Sequence, residues 1–324
     1  MTSLFVDRRD VQLELESGAI VFRENGERIG TVPIAPLTRV FLRGSVHLSA
    51  ALLGKLGEHG VGVVVLSGRQ GKPSLMLARP HNDASRRVEQ IRKSLDADFC
   101  LEFARDLIDT KLSRQITWFD ELRENRPQAR CLLNHAVEQL EEHRGRLSHV
   151  ANLASLRGVE GSAAHIYFSG LKHVLPESLH FKGRNRRPPR DPFNALLSLT
   201  YTLAHAEIAI ALYGGGLDPF VGFYHQLDYG RESLACDLLE PVRPLADRFC
   251  QDLVRRQTLI ADHFSTTDAG CLLGKAGRTH YYTAYEGYSE VLRAGIQAQV
   301  EAAAAKVGSA IEAPPFDNDG EDEE

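Results

Sequence analysis

The chain has 324 residues, 43% hydrophobic and 25% charged. These values exclude a disordered chain, a collagen-like fibre and a disulfide-stapled miniprotein, and leave room for two domains. The formal net charge is −5, yet Asp317 to Glu324 alone hold six acids and no base, so without them 38 basic residues face 37 acidic ones. A near-neutral body can still carry basic patches, and a nucleic-acid partner is not excluded.

The first 80 residues read as strands. Val11 to Leu15 alternates apolar and polar, as a half-buried strand does. Ala19-Ile-Val-Phe, Arg39-Val-Phe-Leu and the wholly apolar Val61 to Leu66 follow, separated by turn residues such as Asn25-Gly26. Ser49 is placed to cap a short helix from Ala50 to Glu58, with Gly60 beyond its end.

From about Asp83 the period becomes helical. Val88, Ile91, Leu95, Phe99 and Phe103 recur at three- and four-residue steps, the spacing of one amphipathic face. Further helices are predicted over Leu107 to Leu122, Ala129 to Glu142, Leu147 to Val174, Pro192 to Tyr213, Leu238 to Ala261 and His280 to Lys306. The fold class is α+β: a β-rich part over 1–80, an all-α part over 81–306 and an acidic, disordered tail over 307–324. The boundary is expected near residues 78–85.

The five cysteines are odd in number and none stands in C-x-x-C spacing. This is neither a disulfide framework nor a zinc finger, and it fits a cytoplasmic protein. The N-terminus has no apolar signal region. Ala195 to Tyr213 is the most apolar long stretch, but it contains His205 and Glu207 and reads as a buried helix, so no membrane partner is expected. Gly214-Gly-Gly216 lacks the Gly-Lys-Ser/Thr of a phosphate-binding loop.

Three segments could carry chemistry. Glu160 lies in a small-residue helix, flanked by Gly158 and Gly161, which suggests close approach by another element. Lys182, Arg184, Arg186, Arg187 and Arg190 put five cations into nine residues. Pro188, Pro189 and Pro192 keep that stretch out of a helix, and such a loop suits phosphate contacts. His225 lies in a glycine-flanked loop, and Asp237 and Glu240 follow on one helix face. Pro241 is expected in the first turn of that helix, where the dipole would favour both acids. Each segment alone has an ordinary reading: a solvated Glu, a charged loop, a structural His. Together, two carboxylates and an imidazole beside a basic loop suit Mg²⁺ or Mn²⁺ and phosphodiester chemistry.

Over about residues 4 to 300 the chain resembles the CRISPR-associated adaptation integrase family, the catalytic subunit of the spacer-acquisition complex. The resemblance rests chiefly on Arg157-Gly-Val-Glu-Gly-Ser-Ala-Ala, Arg187-Pro-Pro-Arg-Asp-Pro-Phe-Asn-Ala-Leu-Leu-Ser, and Gly222-Phe-Tyr-His with Asp237-Leu-Leu-Glu-Pro-Val-Arg-Pro. Pro33-Ile34, Leu48-Ser49, Lys111 and Gln115 also stand in family-like positions. The resemblance implies that Glu160, His225 and Glu240 ligate Mg²⁺ or Mn²⁺, with Asp237 as a supporting or second-metal carboxylate. It implies that Arg243 faces the scissile phosphate. Asn194 and Tyr167 match recurrent positions. It further implies a DNA endonuclease and integrase that inserts short duplex fragments as spacers, homodimerisation through the β-rich part, and assembly with a small ferredoxin-like second adaptation subunit. A catalytically idle DNA-binding scaffold, or a general metal-dependent nuclease on branched DNA or RNA, would carry the same motifs.

Overall fold

The computed structural model describes residues 2–67, 72–77, 81, 84–185 and 188–308. Residues 78–80, where the boundary between the two parts is expected, lie outside these, as do the tail from 309 onward and Arg186 and Arg187 of the basic loop.

The chain opens with β1 (Thr2–Asp7), β2 (Val11–Glu16), β3 (Ala19–Glu24), β4 (Glu27–Pro33), β5 (Leu37–Arg43) and β6 (Val46–Leu48), then α1 (Ala50–Glu58), β7 (Gly62–Ser67) and β8 (Lys72–Met76). Two four-stranded sheets result, ordered β1-β5-β7-β8 and β4-β3-β2-β6. In the first, β1, β5 and β7 run parallel and β8 antiparallel. Ser49 caps α1 as expected, its hydroxyl accepting from Leu52 N at 3.2 Å.

The period-2 pleat places the first sheet between two cores. Val40, Leu42 and Val63 face a small core with Val11, Leu13, Ile20, Leu52 and Leu56. Their neighbours Phe41, Val64 and Leu66 face the helices. This explains why Val61 to Leu66 is apolar throughout: both faces are covered.

The helices are α2 (Ser85–Ser94), α3 (Ala97–Asn125), α4 (Arg130–Arg146), α5 (Leu153–Lys172), α6 (Pro192–Gly214), α7 (Ser233–Arg255) and α8 (Lys275–Val307). A short hairpin of β9 (Phe264–Thr267) and β10 (Gly270–Leu273) precedes α8, so the C-terminal part is mostly rather than wholly helical. α6 is long and apolar enough to cross a membrane, but 67% of its most apolar window is buried inside the fold, where it serves as the central core helix.

Several expectations are corrected. Val88, Ile91 and Leu95 form no buried stripe; they are 54%, 51% and 81% exposed. Asp96 caps a new helix by accepting from Asp98 N and Phe99 N, which splits the pattern into α2 and α3. α2 instead turns Gln90 inward, where it donates to Asp218 O and Val221 O and accepts from Asp218 N. A buried amide satisfied by three backbone groups outcompetes an apolar face here. Leu147 to Val174 is also broken: Leu147–His149 forms a single 3₁₀ turn, and Asn152 caps α5 through Ser155 N. α7 starts at Ser233 and ends at Arg255, so Pro241 is its ninth residue rather than a first-turn proline. The dipole account of Asp237 and Glu240 therefore falls.

Strands and helices are joined by a buried charge cluster. Glu207 of α6 is 2% exposed and accepts from Arg39 of β5 at 3.0 Å and from Arg293 of α8 at 3.0 and 2.8 Å. Phe5 of β1 stacks on Phe41 and on Tyr282 of α8, each at 4.6 Å. Replacing Glu207 by Ala would leave two largely buried guanidinium groups unpaired, and equilibrium denaturation should show a loss of about 3–5 kcal/mol. A loss below about 1 kcal/mol would mean that the pairs are not what joins sheet and helices.

Candidate functional site

Glu160 is on α5, Glu240 and Asp237 are on α7, and His225 is in the loop between α6 and α7. The structure brings the two glutamates onto one cation that sequence reasoning had left without a role. Lys111 of α3 donates from Nζ to Glu160 Oε1 and, at 2.7 Å, to Glu240 Oε2. Lys111 is 4% exposed and sits on the buried stripe of Ala104, Ile108, Gln115 and Trp118. A charged residue on a buried helical stripe is the signal that could have identified it.

Arg243 completes the cluster, donating from Nε to Glu240 Oε1 at 2.9 Å. Burial alone would raise the Glu240 carboxyl, but Arg243 and Lys111 outweigh it and hold the group well below the usual carboxylate range. Burial likewise works against the Lys111 ammonium, and Glu240 and Glu160 raise its pKa above the ordinary lysine value. Glu240 and Lys111 are thus both charged at neutral pH. Behind Arg243, burial and that guanidinium push His205 down to about 4, so its ring is neutral.

Asp237 does not face this cluster as a ligand. It is fully buried, and both its oxygens are committed. Oδ2 accepts from Phe223 N at 2.7 Å and Tyr224 N at 3.0 Å, and Oδ1 accepts from His225 N at 2.8 Å. His225 Nδ1 is 2.7 Å from the same Oδ1. With four partners the carboxylate has no lone pair left for a second metal, so of its two expected roles only the supporting one fits. Because a carboxylate only accepts, Nδ1 donates to Asp237, and Nε2 is the ring nitrogen left for another partner. Such a carboxylate–histidine pair orients imidazole metal ligands.

The loop follows from its residues. A Cβ on Gly222 would sit 2.8 Å from Ser233 and 2.9 Å from Asp237 Oδ2, so only glycine lets the chain pass. Phe223 packs 4.5 Å from Phe103 and 5.1 Å from Phe99 of α3. Arg157 of α5 donates to Tyr224 O at 2.8 Å, tying the Glu160 helix to the His225 loop. Gln90 fixes the segment just before. Gly158 and Gly161 have open space where a Cβ would stand, so no neighbour in this chain requires them. The packed glycine of α5 is Gly170, whose Cβ would meet Phe119 at 2.7 Å.

In the basic loop, Lys182 and Arg190 are exposed. Arg184 turns inward, donating to Asn194 Oδ1 at 2.8 Å. Asn194 is completely buried and clamps the loop: Oδ1 also accepts from Asn185 N, and Nδ2 donates to Gly183 O at 2.8 Å. Asp191 caps α6 through Asn194 N, and Pro192 opens the helix. The β9–β10 hairpin pins the far side, with Cys271 N donating to Pro189 O at 2.7 Å. Tyr167 is buried and donates to Asp247 Oδ2 at 2.9 Å.

Glu160 and Glu240 therefore converge, with His225 held alongside by Asp237. Among the described residues no three His, Cys, Asp or Glu side chains form a closed metal-holding group. The donor chemistry nonetheless fits a hard divalent ion: two carboxylates already meet on one positive charge, and Asp237 orients the imidazole of His225.

The CRISPR associated protein Cas1 family matches residues 4–287. A CRISPR-associated endonuclease Cas1 of Thermodesulfovibrio yellowstonii is 37% identical over 310 residues, covering 95% of this chain and 97% of that one. Three solved structures share the fold. A Cas1 protein from Thermotoga maritima has a TM-score of 0.81 at 21% identity, covering 95% and 97% of the two chains. A casposase bound to integration product has a TM-score of 0.77 at 19% identity, covering 94% and 91%. A Cas6-RT-Cas1–Cas2 complex matches at 0.77 and 22% identity, covering 94% of this chain and 35% of that one. With a family match over most of its length and a relative aligned nearly end to end, the chain belongs to the CRISPR-associated Cas1 family.

Proposed function

We propose that the chain is a divalent-metal-dependent DNA endonuclease and integrase that joins short duplex fragments to a CRISPR repeat as new spacers. The observation that carries this reading is the convergence of Glu160 and Glu240 on a single cation beside His225. The relative named an endonuclease and the casposase bound to integration product support the reaction class.

Glu160, Glu240 and His225 Nε2 would hold the ion, and Asp237 would orient the imidazole. When bound, Mg²⁺ or Mn²⁺ supplies neutralisation of phosphate charge and a lowered pKa for the attacking 3′-hydroxyl. Arg243 stands one turn from Glu240 and supplies a fixed positive charge for the phosphate as its negative charge grows. Lys182 and Arg190 contact the DNA backbone, together with Arg186 and Arg187. Arg184 joins them on release from Asn194. The chain works as a homodimer with the small ferredoxin-like second adaptation subunit; the solved Cas1–Cas2 complex supports such a partner.

The direct test is transfer of a labelled short duplex into a supercoiled CRISPR plasmid, with Mg²⁺ or Mn²⁺ and with or without the second subunit. Joining should need the metal and fall at least about 100-fold in Glu240→Ala and His225→Ala. Metal-dependent cleavage without joining would favour a general nuclease. DNA binding without either reaction would favour an idle scaffold.

A second test needs no turnover. Lys111→Met removes one cation from between two carboxylates and should cost about 3–5 kcal/mol at pH 7. Glu240 is depressed in the folded state, so its favourable contribution is present at neutral pH and fades as pH falls. The gap between variant and wild type should therefore narrow toward pH 4. Mn²⁺ should raise the melting temperature of the variant more than that of wild type. Equal responses in both would argue against metal binding between Glu160 and Glu240.

A further inference from the structure

Glu240, Arg243 and Asp247 lie along one stripe of α7. Glu240 belongs to the charge cluster, but Asp247, 1% exposed, touches neither Lys111 nor His225 and has no part in the chemistry above. Its oxygens are taken by two phenols: Tyr167 of α5 at 2.9 Å and Tyr201 of α6. Burial pushes its carboxyl up to about 6, against the hydrogen bonds from Tyr201 and Tyr167. A buried acid this far from its ordinary environment is retained at a cost, so what it anchors is informative.

The anchored ring is the base for two arginines. The Arg243 guanidinium lies 4.4 Å from the Tyr201 ring centroid, and that of Arg184 lies 5.4 Å from the same centroid. Arg243 is the partner of Glu240, and Arg184 belongs to the basic loop. One aromatic ring, with its hydroxyl fixed to a buried carboxylate, thus touches the reaction centre on one side and the loop on the other. Two like charges on one ring oppose each other, so drawing Arg184 away to a phosphate strengthens the hold on Arg243.

We propose that Tyr201, anchored by Asp247, is a positioning residue that couples engagement of the basic loop by a DNA backbone to the placement of Arg243 at the reacting phosphate. The proposal rests on the integrase reading for its kinetic test, but not for its binding test.

The kinetic test compares wild type, Tyr201→Leu, Tyr201→Phe and Arg184→Gln in strand transfer, using the full chain with the second subunit and Mn²⁺. Tyr201→Leu should lower kcat at least about tenfold with DNA and Mn²⁺ affinities within about twofold of wild type. Tyr201→Phe, which keeps the ring but loses its anchor to Asp247, should recover only part of that loss. Arg184→Gln should raise KM and lower kcat, and its kcat effect should vanish in the Tyr201→Leu background. An unchanged kcat in folded Tyr201→Leu, or additive effects in the double variant, would overturn the coupling. If Tyr201→Leu does not fold, Tyr201→Met takes its place, with the same expectations.

The binding test uses the single tryptophan. Trp118 lies 6.2 Å from Tyr167, which shares Asp247 with Tyr201. A short duplex added without metal should change Trp118 emission in wild type, and this change should be lost in Tyr201→Leu and Arg184→Gln at saturating DNA. A change that persists in both variants would sink the proposal whatever the reaction is. A fluorescence response in a wild type that joins no DNA would remove the integrase reading and leave the coupling standing.

Discussion

The burial of four charges at one point organises this molecule. Glu160, Lys111, Glu240 and Arg243 come from three helices; Lys111 and Glu240 are almost fully removed from water, and Arg243 and Glu160 are largely so. An isolated charge in such a place would neutralise or drag in solvent. Here Lys111 and Arg243 hold Glu240 ionised, and the two acids hold Lys111 charged. α3, α5 and α7 can approach only in the arrangement that lets Lys111 reach both acids. The apolar residues around it, among them Leu112, Leu156, Leu239 and Val242, set how closely the helices pack. The charges set which faces meet.

The same rule shapes the parts around the centre. Asp237 is buried with four partners, and those partners are the backbone and ring of the loop that presents His225. Gln90, buried on the polar helix α2, fixes the chain four to seven residues before His225. Asn194 does the same for the basic loop. In each case one satisfied buried polar side chain does what a run of secondary structure would otherwise do. It holds an irregular segment in place while leaving its outer groups free.

This explains which features are legible in the sequence. Strands such as Val11 to Leu15 announce themselves because one face is apolar and the period is two. Val61 to Leu66 does so because both faces are covered. α1 is marked by its Ser cap, and the order of Glu160, His225 and Glu240 is visible through family resemblance. What is not legible is a polar side chain turned inward. Val88, Ile91 and Leu95 mark a helix correctly but indicate the wrong face, because the buried side is decided by Gln90 and its three backbone partners. Lys111 hides for the same reason: hydropathy scores it as surface, and only its two distant acids make it core. Pro241 reads as a first-turn proline, yet it stands inside α7 with Pro244, each removing one backbone donor near the turn that carries Glu240. Local propensity loses there to packing on both sides of a helix that is buried along most of its length.

A site built from dehydrated charge is rigid only as long as its cations stay in place, and the two cations here are held differently. Lys111 is a point charge on a flexible stem, held by the acids it bridges and little else. Arg243 is planar, stacks on Tyr201 and is fixed by Glu240, so its geometry survives changes at the ligand end. On the proposed reading, a divalent ion between Glu160 and Glu240 would displace Lys111 from both its partners, whereas Arg243 would keep its stacking on Tyr201. The lysine would then yield, while the arginine would remain as a fixed element for aligning a phosphate. The division of labour follows from the chemistry of the two side chains, and it gives a physical reason for one buried acid pair to carry one cation of each kind.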